Sequence, residues 1–277
     1  MSKDEISMPV AVFNESTVVK DDEVEKAVNA LQKQVDNDLS KYWGKSANLT
    51  FVPKSEKIPR DHCWMAILDN SDQAGAGGYH DLTDQGLPLA KVFAKTEMDH
   101  GSEWTTAASH ELCEMTIDPW INLAATVENE EHGMRLWAYE VSDPCEIDAQ
   151  GYKIDGVLVS DFITPQWYEP GAINYRKVKF DHMGHIKQPF EILEGGYGQV
   201  FDILKGNGWQ QITAKKPGLS DLQLLESKGS AESRRTYIVS AMKADYYEFR
   251  QRPYLGSRRE RRRSPRHMWL RSQTRNR

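Results

Sequence analysis

Residues 104–119, Trp-Thr-Thr-Ala-Ala-Ser-His-Glu-Leu-Cys-Glu-Met-Thr-Ile-Asp-Pro, constrain this chain more than any other stretch. Trp104, Ala108, Leu112 and Met115 recur at spacings of four, four and three, which is the apolar stripe of an α-helix. Ser102, Thr105 or Thr106 can cap its start, and Pro119 stops it. His110 and Glu114 are four apart and project from one face about one turn apart. Glu111 falls near the apolar stripe, while Cys113 points to the opposite side.

A carboxylate turned toward a core needs a partner, because burying it alone is expensive. A metal ion with its water would supply one. The string His110-Glu-x-x-Glu114 is the zinc-hydrolase pattern His-Glu-x-x-His with Glu in place of the second His. Its bland alternative is a solvated helix face, where Glu and His are both common. A zinc site needs a third protein ligand, and Glu140 and Asp143 are the best placed downstream acids, with Cys145 behind them. The Glu-x-x-Asp spacing lets one residue ligate while the other holds the first in place. Without the upstream helix, the same pair reads as a surface turn at Asp143-Pro144.

The 277 residues suffice for one large domain or two small ones. No apolar run approaches the length of a membrane span. The polar, acidic start is not a secretory signal, and Cys63, Cys113 and Cys145 show no disulfide spacing, so a cytoplasmic location is expected. Net charge is −6 overall, but residues 257–277 hold nine Arg and one Glu, or +8, which leaves −14 on the remainder. An acidic body argues against nucleic-acid binding by the body itself. The Arg-rich end can hold a polyanion, or be a solvated, disordered terminus.

Along the chain, residues 9–13 read as a buried strand. Asp21 or Asp22 then caps a helix whose apolar positions run from Val24 to Leu39. Residues 49–52 and 63–68 read as strands, and 69–78 as loop. Residues 87–94 read as an edge strand, because Pro88 suits an edge or a strand start. Residues 120–133 are acidic and read as a surface excursion. A hairpin is expected around Asp155-Gly156. The 195–198 glycine cluster reads as a turn rather than a phosphate loop. His182 and His185 fall in a turn, where a second metal site is disfavoured. Asp118 closes the helix rather than ligating. A further helix is expected over about 232–247.

Ser109-His-Glu-Leu-x-Glu114-x-x-x-Asp-Pro119 followed by Glu140-Val-x-Asp143-x-Cys145 resembles a pattern in uncharacterised bacterial and phage proteins, and more distantly in plant phosphate-induced, exordium-like proteins. Residues 159–167 also resemble the bacterial members. Both groups look like zincin-type metallopeptidase domains, and the likeness covers roughly residues 8–205. It implies an α+β zincin-like fold over 1–213, with a mixed sheet whose edge strand lies over the metal-motif helix. Residues 214–277 would then be a polar linker and a basic, disordered tail.

The resemblance further implies Zn²⁺ held by His110, Glu114 and Glu140 or Asp143, with Glu111 as general base. A downstream Glu is the third ligand in the gluzincin peptidases, which favours Glu140. Leu89, Ala90 and Lys91 on the expected edge strand would align an extended peptide or protein substrate. By its place just before that strand, His80 either faces the cleft as a donor or is an ordinary loop histidine. The implied activity is zinc-dependent hydrolysis of a peptide or amide bond. The alternative is an inactive scaffold that binds without chemistry. Two departures stand out: the exordium-like proteins are secreted, and classical peptidases carry His where Glu114 stands.

Overall fold

The computed structural model describes residues 7–72, 76–83, 85–129, 133–174, 177–205, 208–214 and 223–224. It is a mixed α/β structure built on two five-stranded sheets and one hairpin.

The first sheet begins with β1 (Ser7–Asn14), whose alternate residues serve two cores. Val10 and Val12 join the main core, while Ala11 and Phe13 join a smaller one on the opposite face. Helix α1 (Asp21–Gln34) follows, buries Val24, Ala27, Val28 and Leu31, and starts with a capping interaction in which the Glu23 carboxylate accepts from the Lys20 N–H. A π-helical turn (Val35–Leu39) and a short helix α2 (Ser40–Trp43) carry the chain to Gly44. β2 (Ser46–Val52) and β3 (Cys63–Leu68) flank β1, both parallel to it.

β4 (Gly78–Leu82) starts at the last residue of the expected loop and was not expected as a strand, and β5 (Pro88–Phe93) is not the edge. The sheet order is β2-β1-β3-β5-β4, so β5 is paired on both sides, parallel to β3 and antiparallel to β4. The backbone donors and acceptors of Leu89, Ala90 and Lys91 serve that pairing and cannot also pair with a substrate strand. The edge over the helices belongs to β4. Among the described residues, no strand pairs with its outer side.

Helix α3 (Ala94–His100) is a short spacer, and α4 (Trp104–Ile117) is the helix expected from the sequence. Glu103 occupies the N-cap position with no side-chain cap, so none of the three expected cap residues serves. Asp118 and Pro119 end the helix as expected, and the Asp118 carboxylate accepts the N–H groups of Asn122 and Leu123. Apart from Ala107, every residue of α4 is buried. The helix runs between β4 and β5 on one side and β9 on the other, so it has no solvated face.

The acidic excursion contains a strand. β6 (Ala124–Asn129) pairs antiparallel with β7 (Gly133–Ala138), and the second sheet continues through β10 (Tyr197–Asp202), β11 (Trp209–Thr213) and β12 (Gln223–Leu224). β12 carries described structure past residue 213. Between β7 and β10, β8 (Tyr152–Ile154) and β9 (Val157–Val159) form the expected hairpin, with Asp155 at φ 51° and Gly156 at φ 80° in its turn. The expected helix over 232–247 and the Arg-rich end lie outside the described residues. No helix among the described residues is long and apolar enough to cross a membrane.

Candidate metal centre

Four segments bring titratable groups to one buried point. His110, Glu111 and Glu114 come from α4, because residues at i and i+4 share a face. Asp143 comes from a 3₁₀ turn (Asp143–Cys145) that Pro144 favours, and Glu140 from the chain leaving β7. His80 comes from β4. It sits opposite Ala90 in the antiparallel register, so both face the side of the sheet that α4 covers.

Two groupings result. In the first, His110 Nε2 lies 3.3 Å from Glu114 Oε1 and 3.2 Å from Asp143 Oδ1. In the second, His80 Nε2 lies 3.6 Å from Glu140 Oε2, and His80 Nδ1 lies 3.3 Å from Glu111 Oε2 and 3.5 Å from Glu114 Oε2. Asp143 rather than Glu140 is therefore the downstream acid beside His110. Glu140 stands beside His80. All of these side chains are at most 7% exposed.

The first grouping fits a metal. Ligands about 2.0–2.1 Å from a tetrahedral ion stand roughly 3.4 Å apart, close to the spacings around His110 Nε2. Glu114 Oε1 also accepts the Ser142 N–H at 3.2 Å, and Tyr197 hydrogen-bonds Asp143. These contacts fix both carboxylates from behind, as ligands require. Three His/Glu/Asp groups among the described residues can hold a metal ion; two of them share Glu114 here, and the third lies elsewhere.

The electrostatics point the same way. Burial, with Asp143 and Glu140 close by, holds the Glu114 carboxyl well above the usual carboxylate range, against the pull of His110. Burial also raises Asp143, and His110 partly offsets it. Burial alone would lower both imidazoles, but the surrounding acids outweigh it. His110 stands well above its ordinary value, and His80 is raised to about 10 by Glu140, Glu111 and Glu114. Glu146, one turn beyond Asp143, is pushed up by burial to about 7. Two imidazoles thus face five carboxyl groups in a place where unpaired charge is costly, and a dication would offset that excess.

Close backbone approach shapes the pocket at two glycines. A Cβ on Gly78 would lie 2.9 Å from Glu111 Oε1 and 3.0 Å from the Lys91 carbonyl, so β4 runs directly against the Glu111 side chain. A Cβ on Gly196 would lie 2.5 Å from the Pro144 carbonyl oxygen, so the glycine cluster wraps the turn carrying Asp143. Sequence reading took that cluster as a turn, but nothing local in it reveals the contact with Pro144.

Ser109 anchors the helix on its other side. Its hydroxyl donates to Gln34 Oε1 at 2.7 Å and accepts the Ser160 N–H at 2.9 Å, while Gln34 Nε2 donates to the Ser160 carbonyl. The bridge through Gln34, Ser109 and Ser160 is not legible in the sequence, although Ser109 and Ser160 lie in its motifs, because a buried polar contact of this kind carries no spacing signal. Of the remaining expected site residues, Ala90 is buried in the core and the Lys91 ammonium pairs with Asp72 at 2.6 Å. Leu89 lies opposite Asp81 in the β4–β5 ladder. Cys145 is buried and unpaired with another cysteine, and burial raises its thiol well above the ordinary value, which disfavours the thiolate a metal would need.

Compared with known proteins, the chain matches no family model, no curated protein and no solved structure.

Proposed function

We propose that the chain is a zincin-like, zinc-dependent hydrolase of peptide or amide bonds, with His110, Glu114 and Asp143 as ligands and Glu111 as general base. The observation that carries this reading is the pair of distances from His110 Nε2, 3.3 Å to Glu114 and 3.2 Å to Asp143, among side chains that water barely reaches. Zn²⁺, when bound, polarises a carbonyl and makes water more acidic.

The chain's own residues supply the rest. Glu111 Oε2 takes a proton from the attacking water and passes it to the departing amine nitrogen as the C–N bond breaks. His80, between Glu111 and Glu140, is a buried donor beside the reacting centre and favours negative charge developing there. Among the described residues no strand pairs with the outer side of β4, and that side would take an extended peptide, the part that β5 was expected to play. Glu140 holds His80 in position.

A second reading, a scaffold that binds metal without chemistry, draws on the contact between His80 Nδ1 and Glu111 Oε2 at 3.3 Å, which occupies the base. One experiment separates the two. Elemental analysis of the purified chain is expected to show a zinc equivalent that His110→Ala/Glu114→Ala removes, whatever metal is held elsewhere. Zinc-loaded wild type is then expected to cleave unstructured peptides, with the rate rising above neutral pH. Unchanged zinc content in the double variant overturns the site, and a broad peptide library left intact leaves the scaffold reading in place.

A further inference from the structure

We infer a second cation site, separate from the first, formed by Asp161, Asp181 and His185. It lies where the segment after β9 crosses the segment 180–186. The two are tied by a bridge between Ile163 and Asp181, by Thr164 N–H to the Phe180 carbonyl at 2.9 Å, and by His182 N–H to the Phe162 carbonyl at 2.9 Å.

Both Asp side chains are completely buried. Asp161 Oδ1 accepts the N–H groups of Phe162 and Met183 at 2.8 and 3.1 Å. Asp181 accepts His185 N–H on Oδ2 at 2.7 Å and Ile186 N–H on Oδ1 at 3.0 Å. Backbone amides therefore aim both carboxylates at one point. There Asp161 Oδ2, fully buried, meets no N–H or hydroxyl donor, and neither does His185 Nδ1; burial and the adjoining Asp181 carboxyl, close enough to share a proton with it, push Asp161 up to about 9. The imidazole nitrogen stands 3.7 Å from Asp161 Oδ2 and 4.0 Å from Asp181 Oδ2. A buried carboxylate oxygen with no donor is costly, and two carboxylates side by side repel unless a proton or a cation lies between them.

The donor set selects the class of cation. Two carboxylates cancel a charge of +2, and an imidazole nitrogen prefers a transition-metal dication to calcium or magnesium. His185, 38% exposed, is the side chain free to close the last few tenths of an ångström, and its open side leaves room for water. The ion would lock the crossing of the two segments. Through Ser160, which neighbours Asp161 and is bonded to Ser109, it would also brace α4 from behind.

The test uses the full chain carrying His110→Ala/Glu114→Ala, stripped of metal and titrated with Zn²⁺ alone. One equivalent is expected to bind and raise Tm. Adding His185→Ala should weaken that binding at least about 100-fold, the upper end of what even an indirect contact to a ligand is worth, and remove the Tm shift. His185 is surface-accessible, so the far-UV circular dichroism of the variant should match its parent. In the otherwise wild-type chain, His185→Ala should lower the total metal by one equivalent, which reads the site without disturbing the first. Absence of zinc uptake in the double variant would mean that the two acids share a proton instead, and would overturn the proposal. Zinc binding indifferent to His185→Ala, or calcium binding of the same strength as zinc, would overturn the ligand set. None of these outcomes depends on whether His110 and Glu114 hold a metal.

Discussion

His80 Nδ1, on the edge strand, lies 3.3 Å from Oε2 of Glu111, on the central helix. The contact joins two residues thirty-one positions apart and places a buried imidazole against the acid proposed for proton transfer.

The pair gives opposite predictions for metal and for rate. Glu111→Gln keeps the shape of the side chain and touches no ligand, so metal content should stay at the wild-type level. Peptide hydrolysis should fall by about 10²–10⁴-fold, the usual contribution of a general base. His80→Ala should also keep the metal and cost about 10²-fold, in line with loss of one preorganised donor. Loss of metal in either variant, read by elemental analysis, would move that residue into the ligand set.

Metal affinity should rank Asp143 above Glu140. Asp143 Oδ1 is 3.2 Å from His110 Nε2, whereas the Glu140 carboxylate stands beside His80, 3.6 Å from its Nε2. In a chelator competition, Glu140→Gln should weaken binding about 10–100-fold, as losses of supporting partners do, and Asp143→Asn by more. The reverse ranking would return Glu140 to the role that the sequence favoured for it.

The site was legible in the sequence where its signal was local. Helix α4 announces itself by apolar spacing and by Pro119, and the i, i+4 relation of His110 and Glu114 follows from helical geometry alone. The hairpin at Asp155-Gly156 was equally local, because a tight two-residue turn demands residues that tolerate positive φ. β4 was hidden because Gly77-Gly78 reads as loop, yet Gly78 is there to let the strand approach Glu111. β6 was hidden because Ala-Ala-Thr-Val-Glu-Asn has too few apolar residues to show alternation, and its partner β7 supplies the order. The choice between Glu140 and Asp143 depends on how a 3₁₀ turn packs under β10, which no local pattern encodes. A second metal site at His182 and His185 is disfavoured by the sequence for the same reason: Asp161 and Asp181 meet beside His185 only because distant segments cross.

Gly78→Ala should destabilise the fold by about 1–3 kcal/mol, the cost of forcing an extra carbon into a packed core. The added Cβ meets the Lys91 carbonyl, which is held in the sheet, and the Glu111 side chain. Gly171→Ala is the control, since nothing lies within 4 Å of its Cβ position and its φ is not in the left-handed region, and it should change stability by no more than about 0.5 kcal/mol. Denaturant unfolding of both variants checks the contrast. Equal behaviour of the two would show that β4 has room to move off α4.

Asp69, just past the end of β3, provides a pH-dependent anchor that belongs to neither candidate metal site. Its carboxylate accepts the hydroxyls of Ser16 and Thr17, each at 2.6 Å, and the Thr17 N–H at 2.8 Å. The Ser16 hydroxyl first, then the two bonds from Thr17, hold the carboxyl down to about 2. An unfolded Asp titrates near 3.9. The folded value is the lower one, so the ionised form favours folding. The contribution is fully present above pH ~4 and is lost as pH falls through about 2. Asp69→Asn keeps an acceptor oxygen but cannot ionise. The Tm gap between wild type and variant should therefore be widest at pH 5 and close toward pH 2, while titrations elsewhere in the molecule cancel in the comparison. A gap that stays constant from pH 5 to pH 2 would mean that the charge of Asp69 contributes nothing and that only the shape of its hydrogen bonds matters.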